Sequence, residues 1–167
     1  MIYRSANKPS LKRESKMSKN RISLCNIPRQ KPLIWIDFID QQNESVKELN
    51  QFIDSLPVNK RLLLIGKVQE LMEMASLGKI PKSSWQLENI AMDPDLFELK
   101  WKFMDKEITH IRQYHAEPER IPRVLVALHA HIKETLGSLL EIRVKQNVQI
   151  AFARARFNSG QKNQWVV

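Results

Sequence analysis

One cysteine, Cys25, stands in the whole chain. An intrachain disulfide is therefore excluded, and no cysteine cluster can hold zinc; a reducing, cytoplasmic setting suits such a sequence. Glycine is scarce, and its four positions (Gly66, Gly78, Gly137, Gly160) are scattered, so no glycine-rich phosphate loop is present. No serine or cysteine nucleophile motif occurs. Apolar runs are short, as at residues 62–65 and 124–128, far below the roughly 20 residues that span a bilayer. The N-terminus is polar and basic with no apolar segment, so neither a secretory signal nor a membrane anchor is expected.

Positive charge is present in excess, at +9 over 167 residues, but it is unevenly spread. Residues 1–32 hold nine Lys/Arg and one acid, leaving eighteen Lys/Arg and seventeen acids for the rest. The body is near neutral, and any field that attracts nucleic acid there must come from local clustering. Residues 1–31 contain too few apolar side chains to offset the entropy of ordering. They read as a disordered basic tail, either a solubilising segment or a non-specific tether to RNA or ribosomes. Cys25, placed in that tail, is not expected to be a reactive nucleophile.

The folded unit is expected to span residues 32–158, with a frayed C-terminus at 159–167. Residues 33–39 read as a strand. Val46, Leu49, Phe52, Ile53 and Leu56 mark a short amphipathic helix that Pro57 ends. A second helix is expected from Asn59 to Gly78, with Gly78 as its C-cap, so that the two helices form a hairpin. Residues 79–95 read as irregular, with Trp85 and Leu87 tucked onto the sheet. Three strands follow. In the first, Phe97, Leu99, Trp101 and Phe103 alternate with Glu98, Lys100 and Lys102. Asp105-Lys106 makes a turn into the second, residues 107–115, and the third runs from Arg123 to Lys133. A last helix is expected over residues 136–157. The whole predicts an α+β domain, a mostly antiparallel sheet packed by helices on one side.

Alternation places chemistry on the sheet. Lys100 and Lys102 share one face of the first of these strands. His110, Arg112 and Tyr114 are assigned to the same side of the second, because the alternate set contains the aliphatic Ile111. On the third strand His129, His131 and Lys133 share a face, with Leu125 and Ala127 on the same side. All four histidines fall between residues 110 and 131. Such a patch suits metal-free RNA cleavage. A base takes the proton of the ribose 2′-OH, an acid protonates the leaving 5′-oxygen, and cations stabilise the phosphorane. Tyr114 suits base stacking or a phosphate contact. A zinc site from His129, His131 and either His110 or His115 is the rival reading, opposed by the nearby Lys100 and Lys133.

Beyond the spacing, residues 33–157 resemble the RelE/ParE toxin superfamily, in its HigB-like, phage-derived branch. The motifs that carry the resemblance are Phe97-Glu98-Leu99-Lys100, Ile111-Arg112-Gln113-Tyr114 and Ala127-Leu128-His129-Ala130-His131-Ile132-Lys133. Arg143, Arg154 and Arg156 match its arginine-bearing last helix. The chain departs from the family pattern at Lys100, at Glu134 and in the insertion at 116–122. The resemblance implies a RelE-like fold and a type II toxin acting as a ribosome-dependent mRNA endonuclease with no metal or other cofactor. It also implies a cognate antitoxin as partner, beside mRNA and the ribosome. Arg112, His129, His131 and Lys133 are the expected catalytic set; Lys100, Lys102, Tyr114 and Arg154 are the expected RNA contacts. A ParE-like topoisomerase poison and a non-catalytic RelE-fold binding protein are the alternatives.

Overall fold

The computed structural model describes residues 21–104 and 107–165. The expected disorder of residues 1–20 and the Asp105-Lys106 turn lie outside the described residues. The elements are β1 (Ile34–Asp37), α1 (Glu48–Asp54), α2 (Val58–Ser76), β2 (Leu87–Asn89), β3 (Leu96–Met104), β4 (Ile108–Ala116), β5 (Val124–Ile132) and α3 (Leu139–Lys162). The strands form one mixed sheet in the order β1-β5-β4-β3-β2. Among the described residues its only parallel pair is β1 with β5, and the α1–α2 hairpin lies in the long connection between them. The domain is α+β, as expected, with one strand more: β2 pairs with β3 inside the stretch read as irregular.

Helices cover both faces of the sheet, not one. Leu49 and Ile53 of α1 and Leu64, Val68, Leu71 and Ala75 of α2 pack on Leu99, Trp101, Phe103, Ile111 and Leu125. On the other face Ala153 and Phe157 of α3, with Trp165, cover Phe38, Leu96, Tyr114, Val126 and Leu128. A nine-residue strand such as β5, apolar at most positions, has hydrophobic surface to bury on both sides, which one layer of helices cannot serve. In α2 the buried positions follow the helical period from Leu64, which turns Leu62 and Leu63 outward.

Residues 21–31 correct the expected tail. A 3-10 turn at Leu24–Asn26 packs against the sheet, and Cys25 is fully buried. Its backbone is tied to the end of α2 and the chain beyond it: Arg29 N–H donates to Leu77 at 3.1 Å and Ile80 N–H to Cys25 at 3.1 Å. Composition misleads here because the polar groups of this segment meet partners far along the chain. Gly78 caps α2, as its sequence position predicts, with a φ of +67°. A Cβ there would sit 1.8 Å from the Ile27 carbonyl oxygen, so the glycine also admits the N-terminal segment.

The expected fraying after residue 158 is corrected as well. Helix α3 begins at a Ser138–Glu141 capping box, later than expected, and runs on to Lys162. Trp165 then folds back over Gly160 and meets the Phe157 ring at 5.7 Å. Among the described residues no helix is long and apolar enough to cross a membrane.

Candidate functional site

Strand register decides which side chains meet. Lys100 pairs with Arg112 and Lys102 with His110 across β3 and β4. Arg112 pairs with His131 and Tyr114 with His129 across β4 and β5. Paired residues on neighbouring strands point to the same side, so the expected convergence of Lys100, Lys102, His110, Arg112, Tyr114, His129 and His131 on one face holds. Lys133 joins them at the end of β5, its backbone N–H donating to the His110 carbonyl at 2.7 Å. The expected alternation along β5 does not hold throughout. A β-bulge shifts the register between Tyr114 and His115, so that His129 faces Tyr114 while Ala127 faces His115. Leu125 and Ala127 therefore lie opposite the histidines, against the helical hairpin.

The patch divides into a buried half under α3 and an open half. Tyr114 lies in the buried half, fully enclosed. Burial first, and then the Glu98 carboxylate, raises its phenol above the ordinary range. The ring lies beside those of His131, 5.5 Å away, and His129, 6.4 Å away, which are 5.7 Å from each other, and it is enclosed on every side. That leaves no face of Tyr114 for a base, contrary to the stacking role expected for it.

His129 sits on the expected face, but both its ring nitrogens are taken. Nδ1 donates to Glu48 at 2.7 Å, and Nε2 lies 2.6 Å from the side-chain amide of Gln149 on α3. Glu48 does more than hold this ring. It accepts the Ala130 backbone N–H at 2.7 Å, where β5 runs on past the end of β1, and pairs with Arg156 of α3 at 2.9 Å. It thereby closes a free strand edge and clamps α3. Burial works against the Glu48 carboxylate, yet these donors hold it below its usual range.

His131 is partly buried, and burial lowers it to about 4, so it is neutral at pH 7. Its Nδ1 faces the Ile132 carbonyl at 3.1 Å, which can only accept. The proton therefore sits on Nδ1, and Nε2 accepts from the Tyr114 hydroxyl at 3.3 Å.

Arg112 is nearly enclosed, at 9 % exposure, and forms an ion pair with Glu98, at 1 %. Lys100 pairs with Glu88 of β2. The open half holds the freer groups. Lys102 leans over the Trp85 ring at 4.8 Å. Trp85 itself is half exposed, not tucked onto the sheet as expected, whereas Leu87 is buried there as expected. His110 is partly exposed, and its imidazole has no hydrogen-bond partner among the described residues. Partial burial, then Lys102, Lys133 and Arg112, lower it from the ordinary histidine range. Lys133 is lowered by burial, then by Arg112. These mutual shifts mark one local field, in which four cationic side chains meet two carboxylates.

Arg154 does not join the patch. It pairs with Asp93 at 2.7 Å and Asp95 at 3.1 Å, beside the start of β3, and secures α3 there. Alternation put His110 on this face, but the expected catalytic set named His129 and His131 and left it out; its free ring and cationic neighbours are what distinguish it from His129.

Comparison of the chain with family models, with curated proteins and with solved structures gives no match in any of the three.

Proposed function

We propose that this chain is a RelE-like toxin of a type II toxin–antitoxin system, acting on mRNA at the ribosome by metal-independent cleavage. The observation that carries the reading is the open half of the sheet face, where His110 stands among Lys102, Lys133 and Arg112. A neutral imidazole with a free nitrogen can take the ribose 2′-proton at neutral pH. Lys133, lowered from the usual lysine range, stabilises the phosphorane charge and serves as the proton donor to the leaving oxygen, while Arg112, enclosed and paired with Glu98, acts only from beneath the site. Lys102 holds a neighbouring phosphate, and the half-exposed Trp85 beneath it offers a ring for a splayed base. His131 and Tyr114 set the floor of the site. The order of strand, helical hairpin, antiparallel strands and helix, with β2 added ahead of the three expected strands, supports the RelE-like reading of the fold.

An antitoxin requires a docking surface, and α3 offers one. Leu140, Val144, Val148 and Phe152 recur every four residues along its exposed side. A second reading, a RelE-fold binding protein without catalysis, is favoured by the carboxylates that neutralise Lys100 and Arg112.

Expression separates the two. The toxin reading expects growth arrest with cut mRNA on induction, relieved by the Lys102→Gln/Lys133→Gln double variant at equal protein level. Both lysines are outside any ion pair among the described residues, so the fold should tolerate the change. Arrest undiminished in the double variant, or intact mRNA during arrest, would count against cleavage at this face.

A further inference from the structure

Apart from the cationic face, one set of reactive groups has no part in the reading above. Cys25, His115 and Glu117 are 0, 0 and 1 % exposed. They come from three places: the turn after Ser23, the end of β4 and the loop that follows it. Cys25 Sγ lies 3.6 Å from His115 Nε2 and 3.9 Å from Glu117 Oε1, and His115 Nε2 lies 3.7 Å from Glu117 Oε1. Among the described residues this is the one group of three such donors close enough to share an ion.

The order Cys, His, Glu suggests a nucleophile with its base, but the complete burial of the sulfur leaves no route for a substrate. The spacing fits a different purpose. Bonds of about 2.3 Å to sulfur, 2.0–2.1 Å to nitrogen and 2.0–2.2 Å to oxygen, at tetrahedral angles, separate the donors by roughly 3.4–3.6 Å. The three observed separations exceed that range by at most a few tenths of an ångström, so a slight contraction closes them on one centre.

We propose that Cys25, His115 and Glu117 form a structural site for one zinc ion, which staples the N-terminal segment onto the sheet. A thiolate, a neutral imidazole and a carboxylate suit zinc in softness, and their two negative charges balance it. The second oxygen of Glu117 takes only the Leu24 N–H, at 2.9 Å, among the described residues, so it can add a chelating contact beside the first without standing as a separate tetrahedral donor. Second contacts orient the carboxylate: Ser23 Oγ donates to Oε1 at 2.5 Å, and the Leu24 N–H reaches both carboxylate oxygens at 2.9 Å. The Trp35 and Phe97 rings, 5.3 and 5.6 Å from the imidazole, fix its plane. The site is independent of the RNA reading.

The test uses the full chain, produced without a histidine tag in zinc-supplemented medium. Elemental analysis should find stoichiometric zinc. Exchange with cobalt should give a thiolate-to-metal charge-transfer band in the near ultraviolet, with the intense visible bands of a four-coordinate centre. Chelation should lower the melting temperature and expose the amides of residues 24–27 to hydrogen exchange. The Cys25→Ser variant should lose the charge-transfer band and the bound ion. The wild-type cobalt spectrum stands whether or not that variant folds. The proposal is overturned if the purified chain holds only substoichiometric zinc, takes up cobalt without a sulfur band, and melts unchanged in chelator. Undiminished zinc in a folded Cys25→Ser protein would overturn it equally, by placing the ion elsewhere.

Discussion

Replacing Glu98 with alanine is expected to destabilise the protein by about 3–5 kcal/mol, the range for removing one partner of a buried ion pair. Glu98 and Arg112 face each other near the centre of the sheet, almost without solvent. Glu98 Oε1 and Arg112 Nε are already buried without a hydrogen-bond partner among the described residues. The pair therefore has little reserve: without the carboxylate, the guanidinium stays desolvated and uncompensated. The double change Glu98→Leu/Arg112→Met should recover most of the loss, because an apolar pair leaves no charge behind. Urea denaturation of the three variants measures this. A single-variant loss under about 1 kcal/mol would show that water reaches the pair.

The second large effect concerns rate. Under the cleavage reading, His110→Ala is expected to slow mRNA cutting by about 10²–10⁴-fold, the range for loss of a positioned general base. The fold should hardly notice, since the His110 ring has no hydrogen bond to lose among the described residues. His129→Ala should behave in the opposite way, lowering stability first, because the Glu48 and Gln149 contacts disappear. The pH profile follows from the same environment. His110 is lowered from 6.5, and it acts as a base only when unprotonated, so the rate should fall with acid at a midpoint below 6.5. Lys133 acts as an acid only when protonated and is lowered from 10.5, which puts the alkaline limb below that value. A rate insensitive to His110→Ala, or an acid limb at or above the ordinary histidine value, would remove His110 from the mechanism.

How the sequence foretells this face, and where it stops, follows from the reach of each signal. Alternation along β3 is a local property, and it put Lys100 and Lys102 opposite the core without error. For β4 a single aliphatic residue, Ile111, was enough to choose the face. On β5 the bulge at Leu128 broke the period, and an uninterrupted apolar strand offers no mark of where one extra residue sits. The ion pairs of Arg112 and Arg154 were equally hidden. Glu98 stands 14 positions from Arg112, and Asp95 59 from Arg154, so only the fold brings them together.

The N-terminal segment illustrates the same limit. Residues 21–31 have the composition of a tail, yet Ser23 and Leu24 find their acceptor in Glu117, over 90 positions away. A composition rule counts apolar surface and cannot see a long-range carboxylate. Trp165 was similarly misread, since its burial depends on the gap left by Gly160.

The claim on which the function rests is that imidazole and cations on one sheet face act together on one ribose phosphate. Its most direct test is the chemistry of the cut ends when purified protein is added to ribosomes programmed with a defined mRNA. Attack by the 2′-OH leaves a 2′,3′-cyclic phosphate on one fragment and a 5′-hydroxyl on the other, and both should fade in parallel in the His110→Ala and Lys133→Gln variants. Uncut mRNA, or fragments ending in 3′-hydroxyl and 5′-phosphate, would contradict the account.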